Sequence, residues 1–413
     1  MPKENRVSDP EVVRQLEVFR KNSVDLIEEK ELERRIAKSL ESGKPLRIKF
    51  GMDPSSPDLH IGHAIPLLKL RAMQELGHQV VLIVGDATAM VGDPSGRNKL
   101  RPQLDREQVE KNLLTYTEQA GRVIDLDKAE VRRNSEWFDA MSFEDVLRLS
   151  ARMTVAQMVE RDTFQTRMEA SEPIGIHEFL YPLMQGWDSV MVRADLEIGG
   201  NDQLFNLLVG RRLQEQESQV PQICMTLPLI NGLDGRKMSK SYGNAVELTD
   251  EPNEMFGKIM SLEDGVMESF FRLLTPLPEE DLATVLAGHP REAKARLAEE
   301  ITAVFHDAAS GHEAREAFDR QFREKQLPDE IEERAFDGEW SAKGVPLFVL
   351  IRGVGLAKSG SDARRIIEQG GAKIDGKVVR EPSQIVPRPE IKMLLQVGKR
   401  SFAWVRPKSD WPN

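Results

Sequence analysis

The chain has 413 residues, 40% hydrophobic and 30% charged, an ordinary water-soluble composition in a length that exceeds one compact core and predicts two or three domains. No apolar run is long enough to span a membrane, the N-terminal MPKENRVSDPEVVRQ is too polar for a signal peptide, and one cysteine excludes an internal disulfide, which together predict a cytoplasmic protein with no membrane partner. The net charge of −11 argues against a nucleic-acid partner until it is divided: residues 341–413 carry 14 Lys+Arg against 6 Asp+Glu, whereas residues 1–340 carry 43 against 62, and a basic module on an acidic body points to RNA.

Residues 1–40 have apolar positions at helical spacing and predict helix ending at Gly43. Leu46–Phe50 predicts a strand, and it runs into Gly51–His63, GMDPSSPDLHIGH. Strand, tight loop and helix N-terminus in that order is the phosphate-handling arrangement of a nucleotide-binding α/β domain. His60 and His63 are three apart, Gly62 between them removes a side chain where a planar base could lie, and the helix is expected to begin near Gly62. Two histidines in such a turn could equally be structural; a zinc site is not expected, because one cysteine leaves no Cys/His set.

A helix over Leu67–Leu76 and a buried parallel strand over His78–Gly85 follow, then a loop, GDATAMVGDPSGRNKLRP, that contains Asp93 in a Gly-Asp-Pro turn. Residues 103–175 are mostly helical in pattern, and their apolar positions (Val146, Leu147, Leu149, Met153, Val155, Met158, Val159) suit either a core or a subunit interface. In His177–Asp188 the residues Tyr181, Gln185 and Asp188 recur at spacings of four and three, so they share a helix face that either lines a pocket or holds satisfied core polar groups. Asp195–Gln203 runs from a strand into Gly199-Gly200 and a polar triplet, where Asp202 can accept from ribose hydroxyls. Cys224 lies between Ile223 and Met225, which predicts a buried structural thiol. Gly235–Asn244, GRKMSKSYGN, is a cationic loop of the kind that grips a polyphosphate or simply stays solvated. Residues 247–337 predict an α domain; after a linker at Gly338–Pro346, Leu347–Val379 predicts two short helices, a Gly-rich turn and a strand, with Lys358, Arg364, Arg365 and Lys373 spaced through it.

His-Ile-Gly-His early and Lys-Met-Ser-Lys-Ser midway resemble the paired signatures of class I aminoacyl-tRNA synthetases. With GDPSG around Asp93, the Tyr181/Gln185/Asp188 face, GGNDQ and the basic C-terminal module, nearly the whole chain is similar to the bacterial tyrosyl-tRNA synthetases, in the second bacterial branch, whose members tend to carry lysine at the position of Lys49, and with a C-terminal S4-like domain. The resemblance implies an α/β fold: a Rossmann-like catalytic domain over 1–246 with a helical insertion at about 103–175 that makes a homodimer contact. A helical anticodon-binding domain over 247–337 and a small α+β S4-like RNA-binding domain over 338–413 complete it. It implies three substrates, L-tyrosine, ATP (as Mg-ATP, so Mg2+ without a dedicated protein metal site) and tRNA(Tyr).

The same resemblance implies that Asp93, Tyr181 and Gln185 hold the α-ammonium group, that Asp188 receives the phenol, and that Gln203 lies close by. Gly51, Asp53, Gly62, Gly200, Asp202, Met238, Ser239 and Ser241 would meet ATP; Ser55, His60, His63, Lys237 and Lys240 would act on its phosphates; and Lys358, Arg364, Arg365 and Lys373 would meet tRNA phosphates. Tyrosine's carboxylate attacks the α-phosphorus and the tRNA terminal hydroxyl then attacks the adenylate, so no protein nucleophile is needed. Lys49 is a departure: the other branch has a tyrosine there that meets the phenol, and Lys49 is assigned no such role. The readings left beside this one are a tryptophanyl enzyme, a nucleotidyl-transferase acting on a small molecule, and a non-catalytic RNA-binding relative.

Overall fold

The computed structural model describes residues 9–54, 58–95, 105–239, 242–322, 331–338, 340–341, 343–398 and 401–407, without the side chains of 114, 321 and 322. Ser55, Lys240 and Ser241 of the expected site lie outside the described residues. The described chain divides into two compact units, Met1–Phe318 and Asp319–Asn413.

The first unit is built on six strands: β1 (Asp25–Ile27), β2 (Arg47–Met52), β3 (Gln79–Val84), β4 (Glu130–Arg133), β5 (Leu196–Gly200) and β6 (Ile223–Leu227). Their order is β1-β6-β5-β2-β3-β4. All neighbours run parallel except β1, which pairs antiparallel with β6. The chain builds outward from β2 in one direction and then returns to build from β2 in the other, so strand order reverses between β2 and β5. Ligands bind outside the carboxyl ends of parallel strands at such a switch point. The loops after β2, β3, β5 and β6 therefore all open on one place, and they carry Asp53, Asp93, Asp202 and Lys237 respectively.

Helices α1 (Pro10–Arg20), α2 (Glu29–Ser42), α3 (Ile61–Glu75), α4 (Asp86–Val91) and α5 (Arg106–Gly121) precede β4; α6 (Ser135–Phe138), α7 (Phe143–Ser150), α8 (Val155–Met158), α9 (Asp162–Glu169) and α10 (Leu180–Val192) lie between β4 and β5; α11 (Leu204–Gln216) joins β5 to β6. Alternation along the strands separates two cores. Ile48, Val80 and Leu82 join Leu67, Leu70 and Met73 of α3 in the main core, while Val81 and Ile83 meet Trp137, Val192 and Ala194 on the other side. α12 (Pro252–Met260), α13 (Met267–Leu274), α14 (Glu279–Leu286), α15 (Pro290–Phe305) and α16 (Ala308–Phe322) follow, and Phe256, Phe270, Leu297 and Ile301 belong to that same main core. The helical region after residue 247 thus shares the core of the sheet instead of enclosing its own.

The second unit holds β7 (Glu333–Phe336), β8 (Val345–Pro346), α17 (Leu347–Gly353), α18 (Gly360–Glu368), β9 (Ala372–Ile374), β10 (Lys377–Val379), β11 (Ile385–Val386), β12 (Met393–Val397) and β13 (Ser401–Pro407). A five-stranded sheet, β10-β9-β12-β13-β7, and a β11-β8 pair enclose a small core around Leu347, Ile351, Ile367, Leu395 and Val405.

Four elements depart from the sequence expectations. β1 interrupts the helix expected over 1–40: it is a three-residue edge strand tied down by Asp25 N donating to Thr226 Oγ1 at 3.0 Å. The loop expected after β3 begins as α4. β4, inside the expected insertion 103–175, is an edge strand of the main sheet, so the insertion proper starts after it; with charged Glu130 and Arg132 half-buried and Val131 and Arg133 exposed, it shows no apolar alternation. β7, counted with the helical domain 247–337, runs parallel to β13 and is part of the second unit. The helix expected to begin near Gly62 does so, at Ile61, and runs through Pro66 into the helix predicted at 67–76 as the single α3.

Candidate active site

His60 ends the loop after β2 and caps α3. Its Nδ1 accepts from Gly62 N at 3.2 Å, and His63 Nδ1 accepts from His60 N at 3.2 Å. The ring centroids are 3.9 Å apart. Because each Nδ1 accepts a backbone N–H, each neutral ring carries its hydrogen on Nε2. The turn therefore fixes two Nε2–H donors side by side at a helix N-terminus, which suits a phosphate. A Cβ on Gly62 would stand 2.9 Å from the His60 ring, so the residue is small to make room for the histidine.

The lysine loop is brought to this turn by the backbone. Ile61 N donates to Val246 O at 2.9 Å and Leu248 N to Leu59 O at 3.0 Å. Asn244 closes the loop: its Oδ1 accepts from Ser239 N at 2.8 Å, and its Nδ2 donates to Asp234 Oδ1 at 2.7 Å and Lys237 O at 3.2 Å. Asn244 and Arg236 hold the Asp234 carboxyl down to about 2. Met238, expected at ATP, has its side chain in the main core and anchors the loop. Lys237 is exposed and within electrostatic reach of Asp202, which is itself exposed at the glycine turn.

The floor of the cleft is a connected polar network. Tyr181 OH donates to Asp53 Oδ2 at 2.7 Å, and Thr88 Oγ1 donates to Asp53 Oδ1 at 2.7 Å. Asn134 Nδ2 reaches both Thr88 Oγ1 at 3.1 Å and Asp188 Oδ2 at 3.4 Å, and Trp137 Nε1 donates to Asp188 Oδ1 at 3.0 Å. A Cβ on Gly85 would fall 2.0 Å from Asp53 Oδ1, so only glycine admits the Asp53–Thr88 pair. Burial pushes the Asp188 carboxyl up to about 7, against the pull of Lys49, Trp137 and Asn134. Burial and the Asp53 carboxylate push the Tyr181 phenol well above its usual range. Burial likewise raises the Cys224 thiol, in keeping with a structural role.

Lys49 stands opposite Glu197 in the β2–β5 register. Its Nζ donates to Glu197 Oε1 at 2.9 Å, Ser189 Oγ at 2.8 Å and Gln185 O at 2.7 Å, and both charged side chains are fully buried. All three ammonium hydrogens are thus taken, leaving none for a substrate phenol. Gln185 Nε2 donates to Glu197 Oε1 at 3.1 Å, and Asn206 Nδ2 bridges Gln185 Oε1 at 2.8 Å and Gln203 Oε1 at 2.9 Å. Gln203 Nε2 then reaches Asp93 Oδ2 at 2.8 Å. Gly51 is exposed in β2 with open space above it, and Gly200 packs against Asp202.

The structure therefore gathers these residues into two bonded sets, Asp53, Tyr181 and Asp188 in one and Asp93, Gln185 and Gln203 in the other. Thr88, Asn134 and Trp137 in the first set and Glu197 and Asn206 in the second were missed. Glu197 alone had a signal, a single charge in an otherwise apolar strand facing Lys49 in another. In the second unit Lys358, Arg364 and Arg365 are exposed and Lys373 is half-buried. The Arg364 guanidinium lies 3.8 Å from the Phe348 ring centroid, and Arg365 pairs with Asp362 at 2.7 Å. Among the described residues no group of three or more His, Cys, Asp or Glu is placed to hold a metal ion, and no helix is long and apolar enough to cross a membrane.

Residues 41–323 match the family of class I tRNA synthetases (W and Y), and residues 345–390 match the S4 domain. The tyrosine–tRNA ligase of Moorella thermoacetica is 45% identical over 96% of this chain and 96% of its own. That of Ralstonia nicotianae is 48% identical over 94% of this chain and 99% of its own. Among solved structures, the C-terminally truncated mitochondrial tyrosyl-tRNA synthetase of Aspergillus nidulans superposes with a TM-score of 0.61 at 23% identity, over 77% of this chain and 95% of its own. The tyrosyl-tRNA synthetase of Archaeoglobus fulgidus, complexed with L-tyrosine, does so with a TM-score of 0.58 at 21% identity, over 73% of this chain and 99% of its own; at these identities the likeness is one of fold.

Proposed function

Because the chain belongs to the class I tRNA synthetases, and within them to the tyrosine–tRNA ligases, we propose that the cleft beyond β2, β3, β5 and β6 is where its tyrosine and ATP react. The enzyme joins tyrosine to tRNA: L-tyrosine is activated with ATP, and the tyrosyl group then passes to the 3'-terminal adenosine of tRNA(Tyr). The observation that carries the assignment of this cleft is a pair of bonded sets, one running from Asp93 through Gln203 and Asn206 to Gln185 and the other from Tyr181 through Asp53, Thr88 and Asn134 to Asp188. A zwitterionic amino acid with a phenol needs acceptors at both ends and apolar walls between. Asp93, Tyr181 and Gln185 receive the ammonium group in this reading, and Asp188 accepts from the phenol while Gln203 borders the ring.

In the first step a carboxylate oxygen of tyrosine bonds to the α-phosphorus, and the bond to the bridging oxygen breaks, releasing pyrophosphate. In the second, the terminal ribose hydroxyl bonds to the acyl carbon and AMP leaves. His60 and His63 present their Nε2–H donors to the departing phosphates, and Lys237, Lys240 and Ser55 supply charge and a hydroxyl. Mg2+ arrives with ATP. Gly51, Gly62, Gly200, Asp53, Asp202, Ser239 and Ser241 border the nucleotide, with Met238 acting through the fold of its loop.

The region before residue 247 is catalytic, the helices after it receive the anticodon arm, and the second unit meets tRNA phosphates through Lys358, Arg364, Arg365 and Lys373. Phe143, Leu147, Val155 and Ile176 are exposed on and near the insertion, which supports a homodimer contact there. The cytoplasm is the compartment these substrates imply. Amino-acid-dependent ATP–pyrophosphate exchange, run across all twenty amino acids, tests the reading. Exchange with tyrosine alone is expected; exchange with tryptophan overturns the pocket, and none at all overturns the catalytic assignment.

A further inference from the structure

Arg161 is the N-cap residue of α9 and comes from the insertion, yet its side chain is only 3% exposed. Its guanidinium carbon lies 5.6 Å from the Phe164 ring centroid and 5.9 Å from that of Phe205. Among the described residues NH1 and NH2 have no hydrogen-bond partner; the nearest carboxylate oxygen, Asp93 Oδ1, is 3.6 Å from NH2. Tyr181 and Asp202 are also within its electrostatic reach. An arginine cannot shed its charge, and a buried ion with unmade hydrogen bonds is strongly disfavoured unless something else completes it. The two aromatic rings help hold the planar group in place while offering its nitrogens no hydrogen-bond acceptor oxygen.

The charges around it say what is missing. Asp53, Asp93 and Asp202 open on the cleft, and the buried cation of the floor, Lys49, is fully bonded to Glu197, Ser189 and Gln185. An amino acid brings an ammonium group for the carboxylates and an anion attached to the same carbon. That anion must fall close to whatever binds the ammonium. A two-pronged guanidinium beside Asp93 matches a carboxylate in shape and sign.

We propose that Arg161 is a binding residue for the α-carboxylate of the bound tyrosine, donating from NH1 and NH2 to its two oxygens. The proposal rests on the reading of Asp93 as part of the ammonium site. It gives the insertion a part in activation, since it sets the nucleophilic oxygen against the α-phosphorus. As that oxygen becomes the bridging oxygen of the mixed anhydride its charge disappears, so Arg161 acts on tyrosine affinity more than on the chemical step.

The test compares binding of L-tyrosine with that of L-tyrosinol, which keeps the ammonium and phenol and lacks the carboxylate, by equilibrium dialysis without ATP. Full-length wild type, Arg161→Gln, Arg161→Lys and Asp93→Asn are measured. Arg161→Gln should weaken tyrosine roughly 10- to 100-fold, as loss of a charged hydrogen-bonding partner does, and leave tyrosinol nearly unchanged, with Arg161→Lys between. Equal weakening of both ligands, in whichever arginine variant folds, overturns the proposal and reduces Arg161 to a support for Asp93. Asp93→Asn should weaken both ligands; unchanged binding of both would instead remove the ammonium reading on which the proposal stands.

Discussion

Replacing Asp188 with asparagine removes one titrating group from the floor of the cleft while keeping its shape. Asp188 is 3% exposed, and burial pushes its carboxyl up to about 7, whereas an aspartate in an unfolded chain titrates near about 3.9. Between those two values the folded protein holds a proton that the unfolded chain has released. Stability from this group is therefore fully present below about pH 4 and is lost as pH rises through about 7. A shift of about three units at about 1.4 kcal/mol each sets the loss at about 4 kcal/mol, with relaxation around a buried group bringing it lower. Asparagine does not titrate. The difference in unfolding free energy between wild type and Asp188→Asn should therefore move in the variant's favour by about 2–4 kcal/mol from pH 4.5 to pH 8. Urea unfolding at half-unit steps measures it, and the slope decides, because the hydrogen bonds from Trp137 and Asn134 affect only the offset. A difference that stays flat across that range would mean Asp188 titrates alike in both states and would refute the reasoning.

Lys49→Met should destabilise the first unit by about 3–5 kcal/mol, because Glu197 would be left charged and buried; adding Glu197→Gln should recover much of that loss, and strictly additive effects in chemical denaturation would show that the pair is not coupled. Gly62→Ala should slow tyrosine-dependent pyrophosphate exchange by roughly tenfold or more with little change in tyrosine KM, since its methyl group would displace the His60 ring that a phosphate contact needs. An unaltered rate would take His60 out of the phosphate site.

Legibility followed the range of the interactions. The strand at His78–Gly85 and the helix face carrying Tyr181, Gln185 and Asp188 were readable because their patterns are local and strongly periodic. β1 and β4 were not, because each is a short, half-exposed edge strand whose place depends on a distant partner, Thr226 for one and β3 for the other. Glycines marked the tight places, but the neighbour that made each one necessary could not be read: Gly62 makes room for the His60 ring and Gly85 for the Asp53–Thr88 pair.

Sequence by itself determined the chemistry: the two histidines in their turn, the lysine loop, the polar helix face and the basic C-terminal module are residue types at short spacings, and short spacings survive without a fold. Tertiary structure alone decided which of these groups are already bonded to one another. Lys49 is taken up by Glu197, 148 positions away, and Tyr181 by Asp53, 128 positions away. Arg161, from the segment read as an insertion, is left beside Asp93 with no hydrogen bond from NH1 or NH2 among the described residues. No local pattern carries such pairings, because burial and hydrogen bonding are set by what the sheet order brings together, and the reversal between β2 and β5 is a property of the whole chain.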